Sequence, residues 1–199
     1  MDRTRANAFE MKIQLIHVEP FIWRRILVPT SFSLIELHAV IQGAMGWQDY
    51  HLHMYEIGDN HFEIPDGDSL GPEEGYLDER QFHLEALLEV GSEFFYVYDF
   101  GDKWNHLLQV EALRTTDFLG RYAICLDGER ACPPEDSGGA YRYWELLEAL
   151  RDPSHTEHRS MREWAGNFDP EVFSVPQSNA LISAICSLYR ERDPSLFMK

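Results

Sequence analysis

Basic residues are missing where a nucleic-acid-binding protein would need them. No lysine or arginine lies between Arg25 and Arg80, a stretch that carries eleven aspartates and glutamates. The 199-residue chain sets 17 basic side chains against 34 acidic ones, a formal charge of −17. A surface built from that stretch repels phosphate, so it excludes the sequence-independent grip on DNA or anionic lipid that lysine and arginine supply. Direct binding of duplex DNA is therefore not expected. Long apolar runs are missing as well: nothing approaches the roughly 20 apolar residues that a membrane helix needs. The first residues, MDRTRANAFEMK, lack the apolar core of a secretory signal. Cysteine is scarce, with only Cys125, Cys132 and Cys186. A chain of this length buries roughly 70% of its unfolded surface and needs no staples. An odd number of thiols then fits a reducing cytoplasm without a structural disulfide. No repeat, linker or low-complexity tract divides residues 1–199, which are expected to form a single domain.

Hydrophobic period supplies the elements. Phe9, Met11, Ile13 and Leu15 alternate with polar residues, which predicts a half-buried strand, and the run FIWRRILV after Pro20 is expected to pair with it as a hairpin. Ser33 and Glu36 form an S-x-x-E capping box. A helix follows, with Leu34, Leu37, Val40, Ile41, Ala44 and Met45 on its apolar face and Gly46 as its left-handed end. HLHMYEIG at 51–58 and HFEI at 61–64 read as a second hairpin, and residues 65–81 as a surface loop. FFYVYDF at 94–100 and KWNHLLQVEAL at 103–113 read as strands joined by a tight Gly101-Asp102 turn. RYAIC at 121–125 predicts a short strand. Helices are expected around Tyr143–Leu150, Met161–Ala165 and Gln177–Arg190. Strands first and helices last, without βαβ alternation, indicate an α+β domain with a largely antiparallel sheet covered by helices.

The densest polar constellation is Asp99, Asp102, Trp104 and His106 around the 99–106 turn. Two carboxylates and an imidazole there could ligate a divalent ion or exchange protons, or could merely cap turn amides. Alternation puts Trp104 and His106 on one strand face. Cys125 and Cys132, separated by six residues and followed by PPEDSGG, could supply zinc ligands together with His106, although the spacing is not that of common structural zinc sites. A buried packing role is the plainer reading of those thiols. His51 and His53 share a face with Tyr55, and His155 and His158 stand three apart; neither pair has an evident third ligand. The DFG at 99–101 has no glycine-rich phosphate loop or HRD loop beside it, so a kinase reading fails.

The segments PFIWRRI, SFSLIELHAVIQGAMGW, YDFGDKWNHLLQVE, CPPEDSGGAYRYWELLEAL and DPSHTEHRSMREWAGNFDPEVF occur in this order between about residues 8 and 175. On them the chain resembles the plasmid pRiA4b ORF-3-like family. The resemblance implies a neighbourhood more than a mechanism: plasmids, insertion-element passengers and ordinary chromosomes, with some members labelled resolvase. Relatives often read CPPEDCGG where this chain has Ser137, so a cysteine-based metal site would be incomplete. That leaves Asp99, Asp102, Trp104, His106, Glu135 and Asp136 as the candidate binding patch, with Asp99, Asp102 and Glu135 as ligands of a weakly bound divalent cation. A recombinase needs an activated serine or an arginine-rich pocket, and a basic reading helix; this chain has none of these. The expected function is a non-enzymatic accessory domain that binds a protein or small ligand. The alternatives are a metal-dependent hydrolase with His106 as general base, and an acidic mimic of nucleic acid.

Overall fold

The computed structural model describes residues 6–65, 75–116 and 123–192. Eight strands form one sheet in the order β5-β4-β3-β6-β7-β1-β2-β8. They are β1 (Ala6–Leu15), β2 (Ile22–Pro29), β3 (His53–Ile57), β4 (Asn60–Glu63), β5 (Tyr76–Asp78), β6 (Glu93–Tyr98), β7 (Trp104–Thr116) and β8 (Ile124–Glu129). Every pairing is antiparallel except β4 with β5. The helices are α1 (Leu34–Met45), the single turn α2 (Leu84–Leu87), α3 (Gly139–Arg151), α4 (His158–Ala165) and α5 (Val175–Arg192). The architecture is thus α+β, as the order of strands and helices implies.

Alternation along β1 puts Met11, Ile13 and Leu15 wholly into the core while Lys12 and Gln14 stay half-buried on the other face. Helix α1 lies on the core face and is buried at all twelve positions, because α5 covers its outer side. Gly43 permits that approach: a Cβ there would stand 2.5 Å from the backbone of Ile182. The expected capping box is present, with the Glu36 carboxylate accepting from the Ser33 amide at 2.7 Å.

Several elements depart from the sequence reading. The 65–81 loop is not continuous: Tyr76–Asp78 add β5 and Glu79–Gln81 form a 3-10 turn. The turn is fixed by the fully buried Glu79 carboxylate, which accepts from His53. Residues 66–74 of that loop lie outside the described residues. The 98–104 connection is longer than a two-residue turn, since Asp99 and Lys103 both take left-handed backbone angles. The RYAIC strand starts later, at Ile124; Arg121 and Tyr122 lie outside the described residues. Strand β8 runs on through Gly128, where a Cβ would meet Arg24 Cδ at 2.8 Å. Glycine is there to admit a buried arginine. Among the described residues no helix is long and apolar enough to cross a membrane.

Candidate functional site

Three connections meet at one end of the sheet: the α1–β3 loop, the β6–β7 turn and the loop leading from β8 into α3. The Asp99 carboxylate organises its own turn, its Oδ1 accepting from the amides of Gly101 at 2.8 Å and Asp102 at 3.2 Å. Asp102 Oδ2 then accepts from the Gly138 amide at 2.8 Å. Glu135 bridges in the other direction. Its Oε1 accepts from the Gln48 amide at 2.8 Å and from the Tyr98 hydroxyl at 3.1 Å. The Trp47 indole donates to the Pro133 carbonyl at 3.0 Å and its ring stacks on Tyr98 at 4.8 Å. The structure therefore brings the DFGD turn and the CPPED loop together.

Gly139 lets the two loops approach closely. At φ +78° its ideal Cβ would lie 2.6 Å from the Asp102 carbonyl oxygen. Gly139→Ala is expected to cost about 2 kcal/mol from the left-handed angle alone, and the clash pushes the two loops apart. A lowered urea midpoint with an unchanged slope is the expected reading.

At the centre of the convergence stands His51. Its Nε2 is 3.2 Å from Asp136 Oδ1, 3.6 Å from Asp99 Oδ2 and 3.9 Å from Glu135 Oε2. That nitrogen is shielded from solvent and, among the described residues, has no hydrogen-bond partner. Ligand atoms from His51, Asp99 and Asp136 all lie within 4.8 Å of one another. Asp99 is nearly buried while Asp136 is exposed, so the cluster has a closed floor and an open side. Burial pushes the Glu135 carboxyl above its usual range in spite of the Gln48 amide and Tyr98. One imidazole nitrogen among carboxylate oxygens suits Mn2+ or Mg2+ better than a closed thiolate site would.

The other candidates are placed elsewhere. Trp104 and His106 do share a face, but it is the core face: they are 1% and 0% exposed. His106 donates from Nδ1 to the Tyr96 carbonyl at 3.3 Å, and its ring meets Trp47 edge-on. It cannot reach a substrate as a general base. Asp102 serves the loop junction. Cys125 is buried and donates to the Asp127 carbonyl at 3.3 Å, and burial pushes both its thiol and that of Cys132 upward. Among the described residues neither cysteine joins a group of three ligating side chains. His155 Nδ1 accepts from the Glu157 amide, and His158 Nδ1 bonds the Ala149 carbonyl, so this pair secures the chain between α3 and α4.

Sequence reasoning missed His51 as the hub, because its partners come from two distant loops. It also missed a buried network of His38, Gln42, Asp49, His53, Glu79, Tyr96 and Tyr189. A signal was available: His38 and Gln42 stand four apart on an otherwise apolar helix, where polar groups demand partners.

A helix-covered, mostly antiparallel sheet whose loops converge on an oxygen-rich cluster defines a compact α+β class. The family model described as plasmid pRiA4b ORF-3-like protein matches residues 7–177, and the chain belongs to that family. It is 40% identical over 192 residues to the uncharacterized protein y4hQ of Sinorhizobium fredii (strain NBRC 101917 / NGR234), over 94% of this chain and 96% of that one. A crystal structure of the protein of unknown function MM3350 from Methanosarcina mazei Go1 has the same fold. There the TM-score is 0.79 at 33% identity, over 87% of this chain and 98% of that one.

Proposed function

We propose that this chain is a non-enzymatic binding domain whose three-loop cluster holds a divalent cation and presents it to a protein or small ligand. One observation carries the reading: the shielded His51 Nε2 faces three carboxylates yet, among the described residues, has no hydrogen bond. A proton there would add one positive charge. A divalent cation adds two and takes up the nitrogen lone pair together with the carboxylate oxygens. Neighbouring ligands at about 2.2 Å from an octahedral ion stand about 3.1 Å apart, close to the 3.2 and 3.6 Å separations around His51. Tyr50, Leu52 and Phe100, all exposed, flank His51 and Asp99 in sequence and offer apolar surface beside the charge. The hydrolase alternative loses its general base, since His106 is enclosed in the core.

The test is a Mn2+ titration followed by tryptophan fluorescence. Trp47 is the reporter, because it touches both Tyr98 and the CPPED loop. Saturable quenching with a Kd of about 10⁻⁴ M is expected, weakened about tenfold or more by His51→Gln and by Asp99→Asn. A response unchanged by both variants, or stoichiometric zinc lost on Cys132→Ser, would overturn the proposal. Duplex DNA should produce no anisotropy change at physiological salt, given the charge of −17. Micromolar binding with a steep salt slope would contradict that expectation.

A further inference from the structure

Beside the cluster, a cavity of about 330 Å³ opens between β3, the end of α5 and the β6–β7 turn, with Asp49, His51, Leu52, His53, Phe100 and Arg192 among the residues of its wall. His53 in that wall lies face to face with His38, with centroids 3.5 Å apart and planes 8° from parallel. Each is tied to a carboxylate. His38 Nε2 donates to Asp49 Oδ1 at 2.9 Å, and its Nδ1 accepts from the Tyr96 hydroxyl at 2.8 Å. Gln42 fixes those roles: its amide nitrogen donates to the Tyr96 oxygen at 3.1 Å, and its carbonyl accepts from the Asp49 amide at 2.9 Å. Both nitrogens of His38 are therefore committed.

His53 differs. Its Nε2 donates to the two oxygens of Glu79 at 2.9 and 3.1 Å, which leaves the Nδ1 lone pair. Among the described residues no hydrogen bond reaches that atom. His53 has only 4% of its side chain exposed, and Glu79 none, so the ring that lines the cavity is firmly held. A carboxylate on the far nitrogen fixes the tautomer and the ring's orientation. A metal is not what the atom awaits, since among the described residues the three-ligand group is the one at His51. Asp49 adds a carboxylate that also accepts from the Tyr189 hydroxyl at 2.8 Å. Burial alone would raise its carboxyl, but the bonds from His38 and Tyr189 outweigh that and hold it below the usual range. The cavity thus combines acceptors with the apolar surfaces of Leu52 and Phe100. Among the described residues that line it, the one arginine is Arg192.

We propose that this cavity is a binding site for a small, flat molecule rich in N–H donors, an amidine, guanidine or heteroaromatic amine. His53 Nδ1 and the Asp49 carboxylate accept from the donors, and the flat body lies on Phe100. An anion of the same shape is excluded, because Asp49 and the Glu79 behind His53 repel it. The site shares His51 with the neighbouring cluster, so it is probed without metal.

The probe is benzamidine, with benzoate as the same-shaped anion, both titrated into metal-free protein by NMR. Benzamidine is expected to give saturable millimolar shifts and nuclear Overhauser contacts to the rings of Phe100 and His53, and benzoate neither. His53→Phe keeps a ring on His38 but removes the acceptor, and should weaken binding about tenfold. Asp136→Asn, outside the cavity lining, should leave it unchanged while weakening the Mn2+ response, so the two sites fail separately. Equal shifts from benzoate, contacts that avoid Phe100, or affinity unaffected by His53→Phe would each overturn the proposal. The wild-type contacts decide the matter even if the His53 variant does not fold.

Discussion

Acidification from neutrality to about pH 4 is expected to destabilise the fold by roughly 3 kcal/mol for each of two core histidines. Burial lowers His38 to about 3, and the charge of His53 adds to the effect against the opposing pull of Asp49. Burial likewise lowers His106 to about 4, against its bonds to Tyr96 and Trp104. Above the ordinary imidazole value of about 6.5 both states are neutral and pH has no leverage. Below it the unfolded chain takes up protons that the folded chain refuses. Stability therefore falls with pH until the folded values are reached, at about 4 for His106 and about 3 for His38. Glu36 and Glu135 act in the opposite sense, since burial raises both carboxyls and their protonation favours the folded state. Urea midpoints measured across this window should drop steeply. His106→Leu should flatten its share of the drop, because it removes a titrating ring whose Nε2 has no partner. A midpoint independent of pH between neutrality and about pH 4 would show that neither ring is held neutral.

Arg24→Ala is expected to cost more than any other single truncation, about 4 kcal/mol or more. The buried guanidinium donates to four carbonyls: Ala44 at 2.9 Å, Trp23 at 2.7 Å, Glu129 at 2.8 Å and Arg130 at 2.7 Å. It also lies 4.0 Å from the Phe173 ring. One side chain thus joins the end of α1, strand β2, the end of β8 and the segment before α5. Each carbonyl left without a donor costs about 1 kcal/mol or more, and the lost stem leaves a cavity. Arg24→Met restores volume but not donors and should recover only the packing share. Denaturant unfolding of both variants gives the comparison, and a loss under about 1 kcal/mol in the alanine variant would refute the tethering role.

Local pattern made much of this fold legible. Alternation in Phe9–Leu15, the Ser33/Glu36 box and the left-handed Gly46 each act within a few residues, so sequence shows them directly. What stayed hidden depends on distant partners. Strand β5 is three residues long and exists by pairing in parallel with β4, which no period reveals. Glu79 looked like one more loop acid until His53 gave it a buried partner. At the candidate site, the carboxylates at 99, 102, 135 and 136 were visible as polar excess in two turns, and those turns do meet. Which of them face the same point was not visible. That follows from Asp102 being drawn to the Gly138 amide and His51 entering from a third loop. Trp104 and His106 were assigned to one face correctly, but alternation alone does not say whether that face is wet.

The central claim is that His51, Asp99 and Asp136 form a cation centre. Crystals soaked in Mn2+ and measured for anomalous scattering test it most directly. The expected result is a peak about 2.2 Å from His51 Nε2, shared with carboxylate oxygens of Asp99 and Asp136 and absent in His51→Gln. A map without a peak there, or with the ion at Cys132 instead, would contradict it.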